Sequence, residues 1–322
     1  MECGRLPDRR RPALSGEIVM KRNPIYRLIL LLLVVVLSAC TGAAPAAEDG
    51  RPHVLATTGI VADVVRQVAG EYVRVDTLLP VGTDPHTFEP RPQDAAALAD
   101  ADLVFANGAG LEEFLQPLLE SAGAMDRLVE VSDGITLLPF SGEDDHAGGD
   151  PHTWMDPNHV LVWVENIRSA LAGLDPDHAA AYRANAEAYS ASLIELDAWT
   201  QEQVARVPAA NRNLVSDHAV FGYFAARYGF TQTGTITGSF SSGASPSAQE
   251  LAVLEDAIRA SGVPAIFVSK LENNDLADRV AADTGIPLVG LYHASLSQPG
   301  GEADSYLKLM RYNVSAIVEA LK

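Results

Sequence analysis

One tripeptide, Asp-Pro-His, occurs twice in this chain. It ends at His86 in DPHTFEP and, 66 residues later, at His152 in DPHTWMDP. The proline fixes its own φ and holds the preceding residue extended, so each imidazole is aimed with little conformational freedom left to lose. Imidazole nitrogen is a frequent ligand of transition metals. The repeat therefore predicts one metal site containing both histidines, rather than two Asp-Pro turns with bystander side chains.

Carboxylates accompany both motifs, at Asp84, Glu89, Asp150 and Asp156. A carboxylate that accepts the N–H of the far ring nitrogen sets the tautomer of a metal-binding histidine and raises its basicity. We expect these side chains to support the two imidazoles. Thiolate ligands are excluded from such a site, since the only cysteines are Cys3 and Cys40, both near the N-terminus.

A third histidine, His218 in SDHAVFGYFAARYG, falls where a predicted strand ends and a helix begins. Ligands of open α/β sheets collect at the carboxyl ends of the strands. Taken alone, the position fits a helix-cap residue as well as a metal ligand.

The N-terminal residues read as a targeting segment. Basic residues precede the apolar run LILLLLVVVL (28–37), and LSAC then ends at Cys40. The run is too short to span a bilayer comfortably. Residues 1–39 are predicted to be a signal peptide with a possible extension before Met20. The ending resembles the bacterial lipoprotein cleavage box, which implies lipidation of Cys40; a plain signal peptide with a chance cysteine is the alternative. Residues 40–52 read as the lipidated Cys and a flexible tether.

Strand-like and helix-like segments alternate through the rest of the chain, which predicts an α/β fold with parallel-type sheets and helices on their faces. The pattern divides into an N-terminal β/α lobe (53–174), a linking helix (175–208) and a C-terminal β/α lobe (209–322). The linking helix carries an apolar stripe at Tyr182, Ala186, Tyr189, Leu193 and Leu196. Its length predicts that it crosses both lobes.

The chain resembles the solute-binding lipoproteins of ABC importers for Zn²⁺, Mn²⁺ or Fe²⁺, the cluster A-I or cluster 9 family. The matching stretches cover nearly all of the chain after the tether, in order: TTGIVADVVRQVAG, LLPVGTDPHTFEPRPQD, GGDPHTWMDP, SDHAVFGYFAARYGF, ASPSAQELAVL, VAADTGIP and DSYLKLMRYNVSAIVEAL. The resemblance implies two β/α lobes joined by a long helix, with a metal in the cleft between them. It implies His86, His152 and His218 as ligands.

The fourth ligand of that family is usually an aspartate in a segment similar to Tyr-Thr-Asp-Ser-Leu. This chain has LYHASLSQPGGEADSY, which aligns Ala294 with the aspartate and leaves His293 beside it. Three alternatives follow: His293 supplies a fourth nitrogen, water fills the position, or a carboxylate from elsewhere reaches the metal. His293 is the preferred candidate.

Three or four imidazoles without a thiolate favour Zn²⁺ as the transported ligand, with Mn²⁺ and Fe²⁺ as alternatives. The resemblance implies delivery to an ABC permease and ATPase complex by an extracytoplasmic, lipid-anchored protein, expected to be a monomer. A surface adhesin and a zinc hydrolase are alternative functions. No His-Glu-x-x-His or Gly-x-Ser-x-Gly motif is present, so we expect no enzyme. The net charge of −19 argues against nucleic-acid binding.

Further histidines have weaker contexts. The acidic segment SGEDDHAGGD (141–150) carries His146 and is either a solvated loop or a weak capture site. His53, His159 and His178 lack a ligand pattern and are expected to be structural or exposed.

Overall fold

Two parallel sheets, four strands each, organise the part of the chain that the computed structural model describes, residues 50–139, 148–237 and 247–322. The first sheet has the order β2-β1-β3-β4 and contains β1 (His53–Ala56), β2 (Arg74–Thr77), β3 (Leu103–Ala106) and β4 (Leu128–Glu130). The second has the order β6-β5-β7-β8 and contains β5 (Asn213–Ser216), β6 (Thr231–Thr235), β7 (Ile266–Ser269) and β8 (Leu288–Leu291). The two sheets therefore share one topology, and the predicted two-lobe α/β fold is confirmed.

Helices cover the sheets and join them. They are α1 (Gly59–Ala69), α2 (Pro92–Asp100), α3 (Leu115–Ala122), α4 (Pro157–Leu174), α5 (Ala179–Val204), α6 (Gly222–Tyr228), α7 (Ala248–Ser261), α8 (Asp275–Thr284) and α9 (Tyr306–Leu321). Local sequence explains several starts. The Thr58 hydroxyl caps α1 by accepting the Val61 N–H at 3.2 Å, and Ser247 with Glu250 forms a capping box at α7.

The linking helix α5 packs against α1, α4 and α9. Its five predicted stripe residues are all buried, as expected. It begins later than predicted, because residues 176–178 form a separate 3₁₀ turn, and it ends at Val204 rather than at Pro208. At 26 residues it is about 39 Å long, enough to run past both sheets.

One apolar core crosses the junction of the two lobes. It contains Val54 and Phe105 from the first sheet together with Leu214 and Phe267 from the second, and Leu193 of α5 joins them. Residues 51–322 accordingly form one compact unit. Helix α4, whose buried face supports α5, was not predicted from the sequence.

Nothing in the described ranges is both long and apolar enough to serve as a membrane-spanning helix. The predicted signal peptide, Cys40 and most of the tether lie outside the described residues, and so does His146 in the acidic segment.

Candidate metal centre

The predicted histidines all lie beyond the carboxyl ends of strands. His86 follows β2 and His152 follows β4 in the first sheet, while His218 follows β5 and His293 follows β8 in the second. Both sheets therefore direct ligand-bearing loops to the junction between them, as expected for parallel sheets.

His86 is held in a tight turn made by its own motif. The Asp84 carboxylate accepts the backbone N–H of His86 at 2.8 Å and the Thr87 hydroxyl at 3.2 Å. The turn explains why Asp, Pro and His occur together: the aspartate closes the loop locally and the proline restricts it. Glu89, predicted to support an imidazole, is exposed instead.

His152 repeats this turn and adds a ring contact. The Asp150 carboxylate oxygen Oδ1 accepts the backbone N–H of His152 at 2.9 Å and lies 2.8 Å from its Nδ1. The predicted carboxylate support is thus present at His152. Asp156 has a different role, since it caps α4 by accepting the Asn158 N–H at 2.8 Å.

Burial governs the protonation of this pair. Burial raises the pKa of Asp150 to about 7. Burial and, next, the positive charges of His218 and His293 hold the pKa of His152 well below its ordinary value. The His152 ring is 1% exposed and stays neutral near pH 7, which is the form that binds metal.

The loop carrying His152 is fixed by side chains just beyond the ends of β3 and β4. The Asn107 amide donates to the Pro151 carbonyl at 3.0 Å, and the hydroxyls of Ser132 and Thr153 are 2.8 Å apart. Such contacts would hold His152, a predicted ligand, in place before metal arrives, which would lower the entropic cost of binding.

His218 depends on the residue before it. Asp217 Oδ1 accepts the backbone N–H of His218 at 2.7 Å and lies 3.0 Å from its Nδ1. Asp217 Oδ2 accepts the Ser269 N–H at 2.8 Å and lies 3.1 Å from His293 Nε2. One carboxylate therefore orients two imidazoles and ties β5 to β7.

Opposed electrostatic effects act on the pKa values of Asp217 and His218. Burial would raise the pKa of Asp217, but the charges and hydrogen bonds of His293 and His218 outweigh it and hold this pKa well below its ordinary value. Burial would lower the pKa of His218, but the Asp217 carboxylate outweighs it and raises that pKa. Asp217 is therefore an ionised acceptor at neutral pH.

Three imidazoles converge. The Nε2 atoms of His86 and His152 are 3.2 Å apart, and ligand atoms of His86, His152 and His218 all lie within 4.8 Å of one another. Two nitrogens bound tetrahedrally to one Zn²⁺ at about 2.0–2.1 Å would be separated by about 3.3 Å. The donor set and its spacing fit a divalent transition metal.

His293 lies at the edge of this cluster. It groups with Asp217 and His218, not with His86 and His152, and its ring centroid is 4.9 Å from that of His218. The His293 side chain is fully buried, and the backbone carbonyl of His293 accepts the Trp154 indole N–H at 2.8 Å. Its Nδ1 is buried without a hydrogen-bond partner in the described part of the chain. Ligation by His293 stays a prediction.

The other three histidines that the structure describes have structural contacts. His53 Nε2 lies 2.9 Å from Asp76, His159 packs edge-on against Tyr223, and His178 Nδ1 lies 2.6 Å from Asp175. Asp217 and Asn107 support the histidines but were not predicted from the sequence. The Asp-His neighbours in SDH were a usable signal for Asp217, whereas Asn107 has no comparable pattern.

Comparison with known proteins gives a consistent result. The family model described as ZnuA, zinc-uptake complex component A periplasmic, matches residues 54–320. The manganese-binding lipoprotein MntA of Halalkalibacterium halodurans is 34% identical over 302 residues, covering 92% of this chain and 98% of that protein. The manganese ABC transporter substrate-binding lipoprotein PsaA of Streptococcus mitis is 30% identical over 301 residues, covering 91% of this chain and 97% of that protein.

Solved structures agree with the fold. The periplasmic zinc-binding protein TroA of Treponema pallidum is similar with a TM-score of 0.78 and 27% identity, covering 84% of this chain and 99% of that one. A Mn-bound periplasmic metal-binding protein of Candidatus Liberibacter asiaticus gives a TM-score of 0.74 and 28% identity, covering 84% of this chain and all of that one.

Proposed function

Because this chain belongs to the family of periplasmic zinc-uptake complex component A, we propose that it is the extracytoplasmic metal-binding component of an ABC importer and that Zn²⁺ is its preferred cargo. The convergence of the His86, His152 and His218 ligand atoms within 4.8 Å is the observation that carries the proposal. These three residues are the proposed ligands, and the loaded protein delivers the ion to a membrane permease with its ATPase.

Zinc is proposed from the chemistry of the donors. Three imidazole nitrogens suit a borderline cation in tetrahedral geometry, whereas Mn²⁺ prefers oxygen ligands. Manganese is the second candidate, since MntA and PsaA are both named for it and TroA is named for zinc. The number of oxygen ligands that reach the ion would decide between the two metals.

Transport rather than catalysis is the activity proposed, because the family is one of uptake components. Membrane attachment through a lipid on Cys40 is proposed by analogy with relatives named as lipoproteins. The protein is proposed to act as a monomer.

Isothermal titration with Zn²⁺ and Mn²⁺ tests the proposal. We expect wild-type protein to bind one equivalent of Zn²⁺ more tightly than Mn²⁺, and His86→Ala to weaken zinc binding by more than a hundredfold. His178→Ala is the matched control, because His178 is exposed and contacts Asp175. Equal zinc affinity in wild type and His86→Ala would refute the proposed site.

His293→Ala belongs in the same series. If His293 is the fourth ligand, its loss weakens zinc binding to a degree comparable with His86→Ala. If it acts only by holding Asp217, the loss is smaller, about 10–100-fold as for other groups that orient a ligand. Unchanged zinc binding would remove His293 from both roles.

A further inference from the structure

Glu112 is a buried carboxylate to which the proposed metal site gives no direct role. It lies between β3 and α3 and is 8% exposed. Its Oε1 accepts the Thr57 hydroxyl at 2.6 Å and the Asn107 backbone N–H at 2.8 Å, and its Oε2 accepts the Gly108 backbone N–H at 3.1 Å. None of these donors is a basic side chain, although acidic side chains are rarely buried unless they are paired. What the three hydrogen bonds hold in place therefore indicates the role of Glu112.

The first two donors belong to neighbouring strand ends. Thr57 is the first residue after β1, Asn107 is the first residue after β3, and these two strands are the inner pair of the first sheet. Glu112 thus joins the carboxyl ends of both inner strands. The loops that carry His86 and His152 leave the same edge of this sheet, from β2 and β4.

The backbone beside Glu112 is strained. Gly108, Ala109 and Gly110 have φ values of 74°, 55° and 83°, and Ala109 is the one non-glycine residue with positive φ in the described ranges. A Cβ at Gly108 would also lie 2.7 Å from the Cβ of Glu130. Left-handed backbone at a residue with a Cβ persists only where its surroundings hold it. Glu112 is part of those surroundings, because it accepts the Gly108 N–H at the start of the strained turn.

Asn107 connects this turn to the His152 loop. Its side-chain amide donates to the Gly108 carbonyl at 2.8 Å and to the Pro151 carbonyl at 3.0 Å. The side chain is fully buried, and its Oδ1 has no hydrogen-bond partner in the part of the chain that the structure describes. Leaving a buried oxygen without a donor is costly, so the two donated hydrogen bonds fix the orientation of the amide. That orientation holds Pro151, the residue directly before His152.

We propose that Glu112 is a positioning residue of the metal site, which acts through Asn107 to fix the peptide bond between Pro151 and His152. The inference rests on the proposed function. Asn107 holds the C=O of this peptide, and the Asp150 carboxylate accepts its N–H at 2.9 Å. A peptide plane held at both ends does not rotate, so the direction in which the His152 ring leaves the backbone is fixed. Without Glu112 the strained turn relaxes, and the Asn107 amide no longer reaches the Pro151 carbonyl.

The ionised form of Glu112 accepts hydrogen bonds from all three donors. Burial raises the pKa of Glu112 to about 7, although the hydrogen bonds from Thr57, Asn107 and Gly108 each lower it. Metal binding is therefore best measured at pH 8, where the carboxylate is mostly ionised and its hydrogen bonds are intact.

The test compares zinc binding by Glu112→Gln and Glu120→Gln in the purified protein, by chelator competition. Glutamine matches glutamate in shape, but its NH₂ group would face the Gly108 N–H, and two donors cannot bond to each other. We expect Glu112→Gln to weaken zinc binding about tenfold, the lower end of the effect of groups that orient a metal-binding histidine, because it acts through Asn107. Glu120 is exposed on α3 and contacts only Gln116 of the same helix among its side-chain hydrogen bonds, so Glu120→Gln should leave zinc affinity unchanged.

A spectroscopic readout separates positioning from a merely structural role. Co²⁺ bound in place of Zn²⁺ has visible absorption that depends on the geometry and type of its ligands. Glu112→Gln should shift those bands or change their intensity, and Glu120→Gln should not. A residue that only stabilised the fold would lower the free energy of unfolding and leave the affinity and spectrum of the folded protein as they are in wild type.

A double-mutant cycle tests the route through Asn107. If Glu112 acts through Asn107, the variant with both Asn107→Ala and Glu112→Gln should bind zinc as weakly as Asn107→Ala alone. Additive losses of affinity would contradict this route. Thr57→Val covers the case in which Glu112→Gln does not fold, because it keeps the charge and nearly the shape while removing the 2.6 Å hydrogen bond; it should weaken zinc binding and shift the cobalt bands in the same direction.

Two outcomes distinguish this inference from the proposed function. Wild-type zinc affinity and a wild-type cobalt spectrum in folded Glu112→Gln, or in Thr57→Val if the first variant does not fold, would overturn the positioning role alone. Failure of the wild-type protein to bind Zn²⁺, Mn²⁺ or Co²⁺ would refute the proposed function itself.

Discussion

Gly222→Ala tests whether the Asp150 carboxylate positions His152 for the metal. Gly222 is the first residue of α6, four residues after His218, and a Cβ there would lie 2.4 Å from Asp150 Oδ2. Asp150 is 5% exposed and its other oxygen contacts both the backbone and the ring of His152. The new methyl group must therefore displace the carboxylate that orients His152.

The size of the effect follows from the role of Asp150. Displacing a group that orients a metal-binding histidine costs about 10–100-fold in affinity, or about 1.4–2.8 kcal/mol. Alanine itself is well accommodated by helical backbone, and Gly222 has no positive φ that alanine would find strained. We therefore expect zinc binding to weaken by that factor. The free energy of unfolding of the metal-free protein should also fall, by about 1–3 kcal/mol, because the displaced Asp150 carboxylate loses its hydrogen bond from the His152 backbone.

Gly173→Ala is the matched control. Gly173 lies near the end of α4, and a Cβ there would meet nothing within 4 Å. We expect it to leave zinc affinity unchanged and to raise the free energy of unfolding by up to about 1 kcal/mol. Zinc titrations and urea unfolding of both variants provide the readouts. Wild-type zinc affinity in Gly222→Ala would refute the claim that the Asp150 contact positions His152 for the metal.

Three further outcomes are expected. Asp197→Ala should lower the free energy of unfolding by about 1–3 kcal/mol, because Asp197 accepts hydrogen bonds from Arg227 at 2.6 Å and Tyr228 at 2.9 Å; an unchanged urea midpoint would contradict this. Burial alone would raise the pKa of Asp197, but the hydrogen bonds from Arg227 and Tyr228 outweigh burial and lower it. The stability that these hydrogen bonds contribute is therefore fully present above about pH 4 and is lost as pH falls through the depressed pKa of the folded state. The pKa of His218 is raised above its ordinary 6.5, so zinc affinity should decline by about tenfold per pH unit as pH falls below that pKa. A zinc affinity that stays constant between pH 8 and 6 would argue against His218 as a ligand. Tyr223→Phe should speed zinc release measured by stopped-flow mixing with a chelator, because the Tyr223 hydroxyl donates to the Asp150 carbonyl at 2.6 Å and accepts the Leu138 N–H at 3.1 Å; an unchanged release rate would show that this link does not restrain the His152 loop.

The repeated Asp-Pro-His pattern carried more structural information than the histidines alone. In both copies the aspartate accepts the N–H of the histidine two residues later, so the turn is encoded within three residues. The alternation of strands and helices is likewise local in origin, because the spacing of apolar residues and the residues that start or stop a helix are set by neighbouring positions in the chain. The linking helix was less well delimited, since Pro176 began a 3₁₀ turn and the helix itself starts at Ala179.

The sequence by itself determined the two-lobe α/β fold, the strand-end position of His218 and the two matching Asp-Pro-His turns, because each depends on short-range backbone preferences and on the order of elements along the chain. Only the tertiary structure decided which polar groups meet. His293 contacts Asp217 across 76 residues, and Thr57 donates to Glu112 across 55 residues. Such pairings depend on the register and packing of separate strands, so no local pattern specifies them.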